Sequence, residues 1–420
     1  MSRHCMRTLI ALAVVLTPAL ASAQTIFIDD ATAYTMGTPP LVQDADILIR
    51  DGKIVELGRG LAAPPDATLI EAFRQPVTPV FFAGITALGL EELSLEDSTT
   101  DQALSWDKMR PEFDVTTAYN PFSASVPVTR IEGYGWTMLS AGRAGSIIGG
   151  LGRAVSLDGG YESFLSEPVL FIGLGAKTSS LSGQSRAAQF MLLNQALEES
   201  RSETMAWSPD ALLTAEGRRV LARFTTAGTV VFDVDRAADI RQVLAFADRN
   251  GISAVISGGA EAWMVAAELA EAGVPVILDP LRNLPSTFDQ VGARLDNAAI
   301  LHDAGVTISF TGEGDAPHNA RKLRQAAGNA VANSLPYEAA LAALTINPAE
   351  IFGLDPSYGT LAAGSPANLV IWDGDPLEVT TIAKSVVLNG QNIPLVSRQT
   401  KLRDRYLPQN PKTPRAYIKP

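Results

Sequence analysis

Histidine and cysteine are nearly absent from this chain. Its 420 residues include three histidines, at positions 4, 302 and 318, and one cysteine, Cys5. A zinc site assembled from those side chains has almost nothing to draw on, and a lone cysteine forms no internal disulfide. A Gly-x-Ser-x-Gly elbow is also missing, and His318 is the one histidine placed to activate a serine. The glycine-rich run 141–152 lacks the Gly-Lys-Ser/Thr ending of a P-loop; it reads as a tight loop close to the functional site. Beyond residue 20 no apolar stretch is long enough to cross a bilayer without charges.

What the N-terminus does carry is Arg3 and Arg7, an apolar run over 9–20, and Ala21-Ser22-Ala23 ahead of Gln24. That is the pattern of a secretory signal peptide over residues 1–23, so the expectation is export across the inner membrane, to the periplasm. Cys5 and His4 leave with the leader, which closes thiolate chemistry to the exported chain. The leader holds two of the 33 basic residues and none of the 45 acidic ones, leaving 31 minus 45, or −14. An acidic balance without long like-charge blocks argues against nucleic acid or a membrane as partner.

Short strand-like runs occupy both ends of what remains, with Asp51-Gly52 a hairpin signal between two of them. Residues 24–77 and 355–400 are therefore read as one composite β-sandwich domain. Between them, apolar strands alternate with helical stretches: a strand at 230–234, a helix at 237–249, a strand at 254–256, a helix at 261–272, and onward to 337–345. Repeated strand–helix units imply a parallel sheet, and this many favour a closed (β/α)₈ TIM-like barrel over 78–354, with an open doubly wound sheet as the alternative. The tail 401–420 is basic and proline-containing, and reads as a docking segment for a neighbouring subunit.

Several stretches resemble the amidohydrolase superfamily, most closely its exported imidazolonepropionase-like group. The run 76–90 resembles the family's turn into a first barrel strand ending in His-x-His, but Ile85 and Ala87 stand at the histidine positions. Val231-Phe232-Asp233-Val234 resembles a middle strand with Asp233 where a histidine is expected. Ile256-Ser257-Gly258-Gly259-Ala260-Glu261-Ala262-Trp263 is similar to a His-Gly-Thr-Glu-Ala-Tyr run, with Gly258 at the histidine. Ser309-Phe310-Thr311-Gly312 resembles a strand ending in Ser-Asp, with Gly312 at the aspartate. The glycine-rich run is similar to a family loop as well, and Ser156 stands where some relatives carry a lysine that bridges metals.

The resemblance implies a hydrolase of carbon–nitrogen bonds other than peptides, using zinc or another divalent metal. With each of these ligands replaced, no metal or other cofactor is expected here. The leading expectation is a pseudoenzyme that serves as a ligand-binding or partner subunit, as a homo-oligomer or paired with a competent homologue. The alternative is a hydrolase of such bonds or of dipeptides with an atypical carboxylate site, its catalytic candidates being Asp233, Glu261, Glu313, Asp315 and His318. Carboxylates suit magnesium or manganese better than zinc. Arg130, Glu132, Arg236, Asp279 and Arg282, with Asp233 and Glu261, form either an ion-pair lattice in the vacated metal cavity or a binding site for a small polar molecule. His302, on a helix outside the barrel, is read as a surface residue.

Overall fold

A computed structural model describes residues 25–407 apart from 94, 107, 162, 203–208, 313–316 and 356. The leader, Glu313, Asp315 and the tail beyond 407 lie outside the described residues.

Five strands open the chain: β1 (Ile26–Tyr34), β2 (Leu41–Arg50), β3 (Lys53–Gly58), β4 (Thr68–Glu71) and β5 (Pro76–Pro79). Asp51 and Gly52 both take positive φ, 53° and 77°, which is the backbone a tight β2–β3 hairpin needs. β1 pairs β4 through Ile26–Asp29, then β5 through Thr32 and Ala33. The switch falls at Asp30, where φ is +54°.

β6 (Phe81–Thr86) starts the barrel. After β7 (Ala103–Leu104) and α1 (Ser125–Arg130) comes β8 (Tyr134–Leu139), parallel to β6. The chain then turns back. Past β9 (Gly142–Arg143), the strands β10 (Ile148–Gly152) and β11 (Ala154–Ser156) form one bent stave. It is antiparallel to β8 on one side and to β12 (Val169–Gly173) on the other. Antiparallel neighbours need no helical crossover, so the helix expected from a uniform (β/α) repeat is missing here. Much of the glycine-rich run is thus barrel wall and not a loop. The reason is crowding: a Cβ at Gly152 would stand 1.9 Å from the Leu139 carbonyl oxygen.

β13 (Thr229–Val234), β14 (Ser253–Gly258), β15 (Val276–Leu278) and β16 (Ile308–Phe310) continue as parallel staves. Outside them lie α2 (Arg186–Arg201), α3 (Ala215–Phe224), α4 (Ala237–Asn250), α5 (Ala266–Ala272) and α6 (Asn297–Asp303). Beyond β16 follow α7 (Leu323–Ala332), α8 (Tyr337–Leu344) and α9 (Ile346–Ile351). Thr311 bridges the ring shut: its Oγ1 accepts from the Ile85 N–H at 2.9 Å and donates to the Ile85 carbonyl at 3.2 Å. Phe232, Ile256, Ile277 and Ile308 are buried on the staves, as uninterrupted apolar strands covered on both faces should be.

β17 (Leu369–Trp372), β18 (Ala383–Leu388) and β19 (Gln391–Ile393) return to the opening sheet, with β17 antiparallel to β5. The two ends of the chain therefore share one eight-stranded hydrogen-bonded sheet. It encloses an apolar core of its own, including Ile26, Ile47, Ile54 and Leu369. The sheet joins the barrel near the N-terminal ends of β6 and β8: Trp372 stacks on Phe81 at 5.1 Å and donates Nε1–H to Thr78 Oγ1 at 2.9 Å. α10 (Arg398–Tyr406) lies last and buries none of its residues. No helix among the described residues is long and apolar enough to cross a membrane.

Candidate functional site

Parallel register sets the strand ends of the barrel side by side. Gly173 of β12 faces Asp233 of β13, Asp233 faces Ser257 of β14, and Ser257 faces Ile277 of β15. Just beyond this row opens a cavity of about 160 Å³ lined by Ile85, Arg143, Asp233, Gly258, Asp279 and Gly312, among others. A second cavity of about 120 Å³ shares Ile85, Asp279 and Gly312, and extends over Ala87, Leu281, Leu323 and Ala326. Barrels of this type hold their sites at this face.

Charge in the mouth is arranged in pairs. Arg143, from the glycine-rich run, donates to Asp233 Oδ2. Gly173 makes this reach possible, since a Cβ there would stand 2.7 Å from Arg143 Nε. Lys177 Nζ lies 3.2 Å from Asp235 Oδ2 and 3.9 Å from Asp233 Oδ1. Gln290 Nε2 donates to Asp235 Oδ2 at 2.8 Å. Farther out, Arg186 pairs with Asp289 and, at 3.2 Å, with Asp239, which Arg236 approaches at 4.0 Å. Asp279 accepts from the Leu281 N–H at 2.9 Å and lies 3.9 Å from Arg282.

The sequence-predicted residues divide accordingly. Asp233 and Asp279 line the mouth, with Arg282 beside Asp279 and Arg236 in the outer ion pairs. Glu261 is buried and spends its carboxylate on backbone, accepting from Ala237 N–H at 3.1 Å and Gly292 N–H at 3.0 Å. It fastens the start of α4 instead of facing the cavity. Arg130 and Glu132 precede β8 and so belong to the opposite end of the barrel, where Arg130 donates to the Leu157 carbonyl and Glu132 lies 3.6 Å from Arg324. His318 is exposed in a separate groove between Ser125 and Arg398. His302 is exposed on α6. Ser156 is buried opposite Trp136 in the first half of β8, away from the mouth. Arg143, Lys177, Asp235 and Asp289 went unread; the signal available for Lys177 was the apolar run 169–173 ahead of it, an unrecognised strand.

These residues do not fit a divalent metal. Of the five expected ligand positions, only Asp233 has a donor side chain, and a guanidinium and an ammonium already face it. Gly258 has φ +93°, and a Cβ there would meet Asp235 Oδ1 at 2.7 Å; a histidine has no room without displacing that carboxylate. Among the described residues no group of three or more histidine, cysteine, aspartate or glutamate side chains is arranged to hold an ion. Arg143 and Lys177 set two positive charges beside Asp233, which disfavours a further cation on that carboxylate.

A profile of the amidohydrolase family matches residues 193–396. That match covers just under half of the chain, the part that runs from α2 to the closing strands of the sheet, and it agrees with the resemblance read from the sequence. The solved structure of an amidohydrolase from Thermotoga maritima MSB8 superposes with a TM-score of 0.79 at 22% identity, covering 89% of this chain and 100% of that one. An adenosine deaminase from Xanthomonas campestris with bound zinc gives 0.54 at 16% identity, covering 90% of this chain and 98% of that one. At these identities the likeness speaks for the barrel fold alone. The amidohydrolase tasK of Hapsidospora irregularis is 34% identical over 91 residues, which are 22% of this chain and only 9% of that relative.

Among the outer ion pairs, burial raises the Asp239 carboxyl above its ordinary 3.8, Arg236 and Arg186 pull it back, and Asp289 pushes it up again. The folded state thus holds this proton more tightly than the unfolded chain does. The stability Asp239 contributes is full below pH 3.8 and lost as pH rises through the higher folded value. Asp239→Asn, which stays neutral, should gain in melting temperature relative to wild type across that interval. A variant that instead loses ground as pH rises means that the arginines outweigh burial.

Proposed function

We propose that this protein is a catalytically degenerate amidohydrolase: an exported chain that keeps the barrel mouth as a pocket for a small polar molecule and acts as a ligand-binding or partner subunit. The observation that carries this reading is Arg143 on Asp233, a cation of the chain's own at a position where the family places a metal ligand. A bound metal brings the pKa of its water from about 15.7 to about 7. A carboxylate base alone gives only about 10² to 10⁴-fold, and Asp233 is already committed to its arginine. Pairs of opposite charge around a cavity suit a ligand that both donates and accepts hydrogen bonds. The leader pattern over 1–23 supports export.

The test is metal analysis of the purified protein together with turnover of N-acyl amino acids, dipeptides and cyclic amides, with and without added zinc or manganese. Neither stoichiometric metal nor metal-dependent hydrolysis is expected. One chelatable ion per chain, with activity that follows it, would overturn the proposal.

A further inference from the structure

The mouth has a second compartment of a different character. The cavity of about 120 Å³ beside the paired charges is walled by Ala83, Ala87, Leu281, Ala320, Leu323 and Ala326. Small side chains make this room, since most of the wall is alanine. Leu323 and Ala326 lie three apart at the start of α7, so they share one helix face, and both are buried. Their helix is fixed in place: the Arg324 N–H between them donates to the Tyr134 hydroxyl at 2.6 Å. An apolar wall offers water few hydrogen bonds, and a dry apolar cavity of about 150 Å³ takes a benzene ring. The smaller space here suits an aliphatic chain of about four or five carbons.

Two uncommitted donors border the same cavity. Lys322, exposed at the N-terminal end of α7, holds no carboxylate among the described residues. Asn319, half-buried in the preceding turn, makes no side-chain hydrogen bond among them. Arg143, in the neighbouring cavity, is by contrast already bound to Asp233. An ammonium and an amide N–H₂ are both donors, and one carboxylate accepts from both. Asp279 lines both cavities and repels an anion that goes deeper, which keeps the carboxylate at Lys322.

We propose that this compartment binds a small monocarboxylate with a four- or five-carbon aliphatic chain, the chain among the alanines and the carboxylate on Lys322 and Asn319. The inference rests on reading the mouth as a ligand pocket, and it makes the ligand amphipathic instead of wholly polar. A hydroxyl or amide elsewhere on the same molecule meets the paired charges of the neighbouring cavity.

Titration of the full protein with propionate, butyrate, pentanoate, hexanoate and octanoate, followed by ligand NMR, tests this. Affinity should rise roughly fourfold per methylene, the factor that burying one carries, and stop rising by hexanoate. Ala326→Leu fills the cavity and should erase the dependence on chain length; Ala320→Leu, at a half-buried position, gives the same reading if the first variant folds poorly. Lys322→Gln should weaken all five ligands by one shared factor of about fivefold, the upper range for an exposed ion pair, and pentanamide should bind wild type more weakly than pentanoate. Affinity indifferent to chain length, a length dependence that survives both fillings, or pentanamide binding as tightly as pentanoate overturns the proposal. Metal-dependent turnover would instead sink the degenerate reading, whereas a flat series on an inactive, metal-free protein overturns this inference alone.

Discussion

Arg143→Ala should destabilise the fold by about 3 kcal/mol, at the low end of the 3–5 kcal/mol typical when one partner of a buried pair is removed. The lower value applies because Arg143 and Asp233 each keep about a fifth of their side-chain surface exposed, 20% and 19%. The cost arises from what stays behind. Asp233 loses the donor on its Oδ2, Lys177 alone must serve two carboxylates, and Asp235 is almost fully enclosed. Removing both charges with Arg143→Ala and Asp233→Ala together should cost clearly less than the two single losses added, a coupling readable from denaturant unfolding. Strict additivity would mean that the pair does not hold the mouth together. The single variant also leaves Asp233 facing the cavity without its arginine. Magnesium or manganese should then raise its melting temperature while leaving wild type unmoved.

The second large effect is expected at Arg324, where the barrel meets the sheet. This arginine is 1% exposed. Its guanidinium donates to the carbonyls of Pro376 at 3.1 Å, Glu378 at 2.6 Å and Thr381 at 2.6 Å, approaches Glu132 at 3.6 Å, and lies 5.4 Å from the centre of the Trp372 ring. Truncation to alanine leaves three acceptors without their donor and opens a void beside Trp372, for about 3–5 kcal/mol. Lysine should rescue little, because one ammonium cannot span carbonyls that a planar fork reaches. Unfolding followed by tryptophan fluorescence measures both variants. An Arg324→Lys protein as stable as wild type would show that charge alone suffices there.

Most of the barrel was legible because its strands are long apolar runs. Thr229–Val234 and Ser253–Gly258 declare themselves, and the helices between them follow the expected period. The failures are local. Val169–Gly173 is a five-residue run that periodicity cannot separate from a buried helix segment, and without it Lys177 has no address. The glycines of 141–152 looked like a loop because the sequence does not say that Leu139 lies against Gly152. At the site, Asp233 was visible through its strand, yet its partners come from positions 143 and 177, and those of Asp235 from 177 and 290. Only adjacency of staves brings these together. Glu261 misled for the opposite reason: a carboxylate near a strand end looks chemical until its hydrogen bonds are known to be with backbone.

The pairing of β17 with β5 has a consequence for how the polypeptide is made. Until the ribosome delivers Leu369 and its neighbours, β5 has an open edge on the side that β17 will occupy, and the entire barrel sequence must emerge in between. Contacts so distant in sequence form slowly, and an uncovered edge is a template for wrong partners. Removing β1 from one end or β17 to β19 from the other should therefore damage the same sheet, and a chain stalled before Leu369 should depend on chaperones to stay in solution.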